Sequence, residues 1–203
     1  MMKVALIGAS GQAGSRILRE LSSRGHETTA IARNPERIDA GPGVTAVRGD
    51  VAEGEALAAI LRGHDAVVSS VHFLAFDPET LVAAVRASEV KRYLVVGGAG
   101  SLEVASGQRL LDAPDFPDAY KAEATAGAAY LDRLRALDDL DWTFFSPAAM
   151  FVPGERTGRF RLGQDMLIAN DEGSSISFED YAVALVDELE QPRHVRGRFT
   201  IGY

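Results

Sequence analysis

The sequence predicts an α/β protein with a doubly wound parallel sheet, and three observations predict it. Short apolar runs rich in branched residues alternate with stretches of helical spacing over most of the 203 residues. The first run, residues 3–7 (KVALI), opens into a glycine-rich turn, Gly8-Ala9-Ser10-Gly11-Gln12-Ala13-Gly14. Residues 15–21 (SRILREL) follow with Ile17, Leu18 and Leu21 on one helix face. Finally, no composition break marks a linker and no repeat of solenoid period occurs, so residues 1–203 are expected to form one domain.

Each element follows from local pattern. Residues 3–7 read as a buried parallel strand, because branched apolar side chains run on without alternation. After a turn at 22–25, residues 27–32 (ETTAIA) give a second strand, stopped by Arg33-Asn34-Pro35, with Pro35 opening a short helical turn through Arg37. Residues 39–43 form a loop and 44–48 (VTAVR) a third strand. Residues 55–61 (EALAAIL) form a helix stopped by Gly63, and 65–71 (DAVVSSV) a fourth strand. A helix is predicted at 78–88, a fifth strand at 92–96 (RYLVV), a long Ala-rich helix at 118–137 and a sixth strand at 140–145 (LDWTFF). Residues 151–163 read as loop and 166–169 as a strand. An amphipathic helix at 178–190 is capped by Ser177 and carries Tyr181, Leu185 and Leu189 on one face; a last strand falls at 198–201. This order implies right-handed crossovers with helices on both sheet faces, and a small irregular C-terminal cap on the substrate side.

Composition narrows the function. The chain has 21 Lys and Arg against 29 Asp and Glu, a net charge of −8, which argues against a nucleic-acid partner. No apolar run reaches membrane-spanning length, so no membrane partner is expected, and the opening run is not a signal-peptide pattern. A cytoplasmic monomer or small homo-oligomer acting on a small molecule is the expectation. The absence of cysteine excludes disulfides, thiolate metal sites and a Cys nucleophile, and His26, His64, His72 and His194 lack metal-ligand spacing, so no metal is expected.

Strand, glycine turn and helix together point to a dinucleotide site, the alternative being a strand–helix turn with incidental glycines. Gly8 lets the chain leave the strand tightly, Gly11 lets the backbone approach a pyrophosphate, and Gly14 lets the helix pack closely. Residues 8–14 therefore all become cofactor-binding candidates, with the helix N-terminus facing the phosphates.

In a doubly wound sheet the ligand lies across the carboxyl ends of the strands, and those ends supply the other candidates. Arg33 ends the second strand 19 residues past Gly14, where NAD enzymes place an acid; a guanidinium suits a 2′-phosphate instead. NADP is therefore expected in preference to NAD, with Arg37 in support, the alternative being a solvated surface Arg33. Ser69, Ser70 and Val71 at the fourth strand's end are small enough for the backbone to run beside ribose and phosphates. His72 beside them is a candidate for substrate binding or proton transfer, or an ordinary loop histidine. Gly97 and Gly98 end the fifth strand and join the cofactor-binding set.

The spacing G-x-x-G-x-x-G, and the stretch GASGQAG itself, resemble the atypical and extended branches of the short-chain dehydrogenase/reductase superfamily. The likeness is greatest to the NmrA-like NAD(P)-binding proteins and the flavin/biliverdin reductase-like members, and it implies a Rossmann-like fold. It also implies that Asp50 and Val51 line an adenine pocket; read without it, Asp50 is a helix cap. Residues 146–156 (SPAAMFVPGER) resemble the extended branch's nicotinamide-lining segment, which adds Pro147, Ala148 and Ala149. The family's usual Ser-Tyr-Lys set is absent, since Tyr120 and Lys121 are adjacent and the position four after Tyr120 is Ala124. Adjacent helical residues point about 100° apart and cannot act over one substrate as i, i+4 partners do. Tyr120 and Lys121 remain candidates, Lys121 also for the cofactor ribose.

The expected function is an NADPH-dependent reductase of a flat conjugated acceptor, a flavin or quinone, which needs no Tyr-Lys pair. Phe73, Phe76, Met150 and Phe151 are candidates for its pocket, or else ordinary packing residues. The alternative is an NmrA-like redox sensor that binds the dinucleotide without turnover.

Overall fold

The computed structural model describes all of residues 1–203. The first half runs β1 (Lys3–Ile7), α1 (Gln12–Ser23), β2 (Glu27–Ala32), β3 (Val44–Arg48), α2 (Gly54–Leu61), β4 (Ala66–Ser69), α3 (Pro78–Ala87) and β5 (Arg92–Val96). Then come β6 (Glu103–Ala105), β7 (Gln108–Arg109), α4 (Asp118–Arg135), β8 (Asp141–Ser146), β9 (Met150–Val152), β10 (Arg161–Gly163), β11 (Ser175–Ser177), α5 (Phe178–Glu190) and β12 (Gly197–Gly202).

Eight strands form one sheet in the order β10-β12-β8-β5-β4-β1-β2-β3. Every pair is parallel except β10 with β12. From β1 the chain builds outward through β2 and β3, then crosses back to β4 and builds the other way. The switch point therefore lies between β1 and β4, where Ile7 pairs with Ile31 on one side and Ser69 on the other. Alternate residues of β1 serve opposite faces. Val4 and Leu6 join an apolar cluster with Ile17, Leu18 and Leu21 of α1 and Tyr181, Leu185 and Leu189 of α5. Ala5 and Ile7 join a second cluster with Leu57 of α2, Leu81 of α3, and Leu131 and Leu134 of α4. Both faces of the strands are covered, which is why they read as unbroken apolar runs.

Caps close the helices where local chemistry predicts. Ser177 Oγ accepts from the Asp180 N–H at 2.9 Å, opening α5. Asp77 accepts from Thr80 N–H at 2.8 Å ahead of Pro78, opening α3. Gly63 follows α2 at φ +77°, the left-handed geometry of a helix stop. No helix is long and apolar enough to cross a membrane.

Several expectations are corrected. α1 begins at Gln12, not 15, because its first turn packs through Ala13 and Gly14, which the spacing of larger apolar residues does not register. β4 stops at Ser69, so residues 70–72 leave the sheet. Asp50 does not cap α2. Its carboxylate accepts from Ala52 N–H at 3.0 Å in a local turn, and Glu53 holds the cap position. Residues 151–163 are not all loop: β9 pairs in parallel with β11, and β10 extends the main sheet. Residues 166–169 are no strand; Leu167 N–H only bridges to the Glu103 carbonyl at 2.8 Å, beside the unexpected β6–β7 hairpin. Strands of two or three residues are too short to display alternation, and the partners of β9 and β10 lie about 25 and 40 residues further along the chain. The irregular region narrows to residues 147–175, while α5 and β12 belong to the central layers.

Candidate functional site

A cleft of about 600 Å³ follows the carboxyl ends of β1, β2, β4 and β5 across the switch point. Its floor is the turn between β1 and α1. Gly8 has φ +81°, and a Cβ there would lie 2.1 Å from the Ser70 carbonyl oxygen. A Cβ on Gly14 would lie 2.1 Å from the Gly8 carbonyl oxygen, so the start of α1 presses directly on the turn. Gly11 N–H donates to Gly8 at 3.0 Å and Ser15 N–H to Gly11 at 2.9 Å. The N–H groups of Ser10, Gln12, Ala13 and Gly14 find no acceptor within the chain. Gly11 caps α1 with no side-chain hydrogen bond, and no acid stands in the helix's first turn. The positive helix end is thus neither capped nor neutralised, and it fits a pyrophosphate by the chemistry of its donors.

At the ends of β2 and β3 three guanidiniums gather around the cleft, of which Arg33 alone lines it. Neither Arg33 nor the exposed Arg37 meets a carboxylate. Register adds a third guanidinium: Ala32 pairs with Arg48, which is also exposed and unpaired. Applying the strand-end rule one residue earlier on the third strand would have found Arg48. Asp50 and Val51 line the cleft just beyond.

The ends of β4 and β5 form its other wall. Ser70, Val71, His72, Gly97 and Gly98 line the cleft, whereas Ser69 turns inward, 3.0 Å from the buried Tyr93 hydroxyl. Burial pushes the Tyr93 phenol up to about 12, so this hydroxyl chain, continued to Tyr130 at 2.8 Å, stays neutral. A Cβ on Gly97 would lie 2.7 Å from the Phe145 carbonyl oxygen, so only glycine lets the chain pass here.

Above this wall stands the first half of α4, whose buried residues all lie from Gly127 onward. Glu123 ties it down: its carboxylate accepts from Phe73 N–H at 2.7 Å and Leu74 N–H at 3.0 Å, with His72 Nδ1 at 3.3 Å. No local pattern announces this contact, because the partners lie 50 residues apart. Two charge-assisted hydrogen bonds of about 1.5 to 3 kcal/mol each cannot both survive in an amide. Glu123→Gln should therefore cost about 2 kcal/mol, lowering Tm by roughly 4 to 8 °C in a chain of this size. Thermal unfolding followed by circular dichroism reads this directly, and an unchanged Tm would mean the 73–75 turn is held by something else.

A second cleft of about 390 Å³ adjoins the first and shares Phe73, Gly98, Tyr120 and Glu123 with it. Met150 and Ala149 line the second cleft, while Pro147 and Phe151 line the first. Phe76 lines neither; it packs edge-on against Tyr130, 5.2 Å between ring centres. Ala9 and Ala148 are buried in the core, Gly14 packs under the turn, and Arg37 stands outside both clefts. Lys121 is exposed and lines neither cleft, although its neighbour Tyr120 lines both. Ala124, four after Tyr120, is half-buried and lines the second cleft, packed so closely on Gly100 that a Cβ on Gly100 would meet its Cβ at 2.7 Å.

The sequence profile of a family described as NAD(P)H-binding matches residues 8–192. The uncharacterized protein YwnB of Bacillus subtilis is 42% identical over 211 aligned positions, covering 98% of each chain. A Bacteroides thetaiotaomicron structure, provisionally described as an epimerase, shares 42% identity at a TM-score of 0.94, over 100% of this chain and 97% of that one. A Streptococcus pneumoniae structure, provisionally described as an NADH-flavin reductase, shares 40% identity at a TM-score of 0.84, over 100% and 99%.

Proposed function

The chain belongs to the NAD(P)H-binding family, of atypical short-chain dehydrogenase/reductase type, and on that premise we propose that it is an NADPH-dependent reductase of a flat conjugated acceptor, a flavin or quinone. The reading rests on how the two clefts meet: a glycine-floored groove along the strand ends opens, past Phe73, Gly98, Tyr120 and Glu123, into a smaller aromatic-walled cleft. The N–H groups at Gln12 and Ala13 would hold the pyrophosphate, Arg33 the 2′-phosphate, and Asp50 with Val51 the adenine side. Bound NADPH would supply a hydride and leave as NADP⁺, the acceptor taking the accompanying proton from water. Phe73 and Gly98 form the boundary at which the acceptor must lie flat. The Streptococcus relative's description names NADH; here Arg33 favours the phosphorylated cofactor.

A conjugated acceptor needs no fixed proton donor, and the chain holds no Tyr-Lys pair to act as one. Tyr120 is 67% exposed, makes no hydrogen bond through its hydroxyl, and has no lysine at i+4. Tyr120→Phe should accordingly reduce turnover of a flavin or quinone by less than about tenfold, against the 10²- to 10⁴-fold typical of a lost general acid. A collapse of turnover at unchanged cofactor binding would restore carbonyl compounds to the substrate list.

The same missing donor also favours a second reading, a sensor that binds the dinucleotide without turning it over. NADPH consumption against a panel of flavins, quinones and aldehydes, with dinucleotide affinity alongside, separates the two. Turnover with a flavin or quinone supports the reductase. Tight binding with no turnover of any acceptor supports the sensor and removes the reductase.

A further inference from the structure

The smaller cleft carries an asymmetry of charge. Phe73, Phe116, Tyr120 and Met150 wall it, and the charged side chains lining it are the carboxylates Asp115 and Glu123, with no Lys, Arg or His. Glu123 already accepts from two backbone N–H groups. Asp115 is exposed and has no ion pair or hydrogen bond, so its charge faces the cleft unbalanced.

Of the cations around the rim, the two arginines are committed to carboxylates, and Lys121, though unpaired, is exposed and lines neither cleft. Arg109 grips Asp112 with two bonds of 2.7 and 3.1 Å. That grip, with a smaller contribution from Lys121, holds the Asp112 carboxyl below the usual carboxylate range. Arg198 reaches Ser101 at the cleft wall with one nitrogen, at 3.3 Å, but is bound to Asp165. A phosphate entering here would bring a charge of about −1.5 to −2 at pH 7 and meet carboxylates with no cation lining the cleft beside them. This contrasts with the Arg33 end of the larger cleft, where unpaired cations gather.

We propose that the smaller cleft selects uncharged flat acceptors and rejects their phosphorylated forms, with Asp115 setting the discrimination. The proposal rests on the reductase reading for the cleft's occupant and adds the chemical class of that occupant. Selection of this kind is negative, built from unfavourable charge placed against the wrong ligand. Because the rim is wet, it weakens as salt screens it, the Debye length falling from about 10 Å at 0.1 M to about 3 Å at 1 M.

Riboflavin and FMN differ by one phosphate and make the test. With NADPH saturating, riboflavin should exceed FMN in kcat/KM by about tenfold or more at low ionic strength, the ratio shrinking toward unity in 1 M salt. Asp115→Lys should raise FMN's kcat/KM and cut the ratio by roughly tenfold; an exposed position tolerates that change. Quenching of flavin fluorescence on titration with protein measures both affinities without turnover and should show the same order. Equal affinities and equal kcat/KM for the two flavins, or a ratio untouched by Asp115→Lys, would overturn the proposal, as would failure of both flavins to bind. If riboflavin binds in preference to FMN but neither is reduced, charge selection stands and the reductase reading falls.

Discussion

Gly11→Val is expected to abolish dinucleotide binding in a chain that still folds. Gly11 is exposed, has an ordinary φ of −77°, and a Cβ there meets only the Gly8 carbonyl oxygen at 3.2 Å. The fold therefore asks for glycine here only mildly. The ligand asks for it strongly, since a branched side chain would stand where a pyrophosphate must approach the free N–H groups of Gln12 and Ala13. Losing two charge-assisted hydrogen bonds of about 1.5 to 3 kcal/mol each corresponds to at least about a hundredfold in affinity. Titration of NADPH against the variant, with a circular dichroism spectrum and Tm alongside, reads both halves. Unchanged affinity in a folded Gly11→Val protein would remove the glycine turn from the site. Gly8 is the control of opposite kind: with φ +81° and the Ser70 carbonyl in the way, Gly8→Ala should lower Tm markedly before binding is even tested.

Arg33→Asp should exchange the cofactor preference. Arg33 lines the cleft, is free of any carboxylate, and stands beside Arg37 and Arg48, so its charge is available to a 2′-phosphate. A guanidinium–phosphate contact contributes roughly 1.5 to 3 kcal/mol, a tenfold to hundredfold loss of NADPH affinity when removed. An aspartate adds repulsion toward that phosphate and offers an acceptor to ribose hydroxyls, so NADH should be spared or improved. Dissociation constants for both dinucleotides, in both proteins, provide the measurement. Equal affinity of the unmodified protein for NADH and NADPH would defeat the assignment before any variant is made, and Arg48 would then be the residue to examine.

The sequence by itself determined the parallel core and the glycine turn, because both are written in local pattern. Residues such as Val4 to Ile7 are apolar without alternation since both sheet faces are covered, and only glycine suits the positive φ at position 8. It also showed that no Tyr-Lys pair exists, which is a matter of spacing alone. Which member of each strand end faces the cleft was not legible. Ser70 and Pro147 line the cleft while Ser69 and Ala148 turn into the core, because successive residues point to opposite sides and the choice depends on where the strand stops. The tertiary structure alone brought Arg48 beside Ala32, through strand register, and Glu123 onto the N–H groups of Phe73 and Leu74, across about 50 residues. It alone decided that Tyr120 lines both clefts while Lys121 lies outside them, since the rotation of α4 about its axis is set by its packing on the rest of the fold. Contacts between distant segments form only once the sheet has assembled, and no window of neighbouring residues contains them.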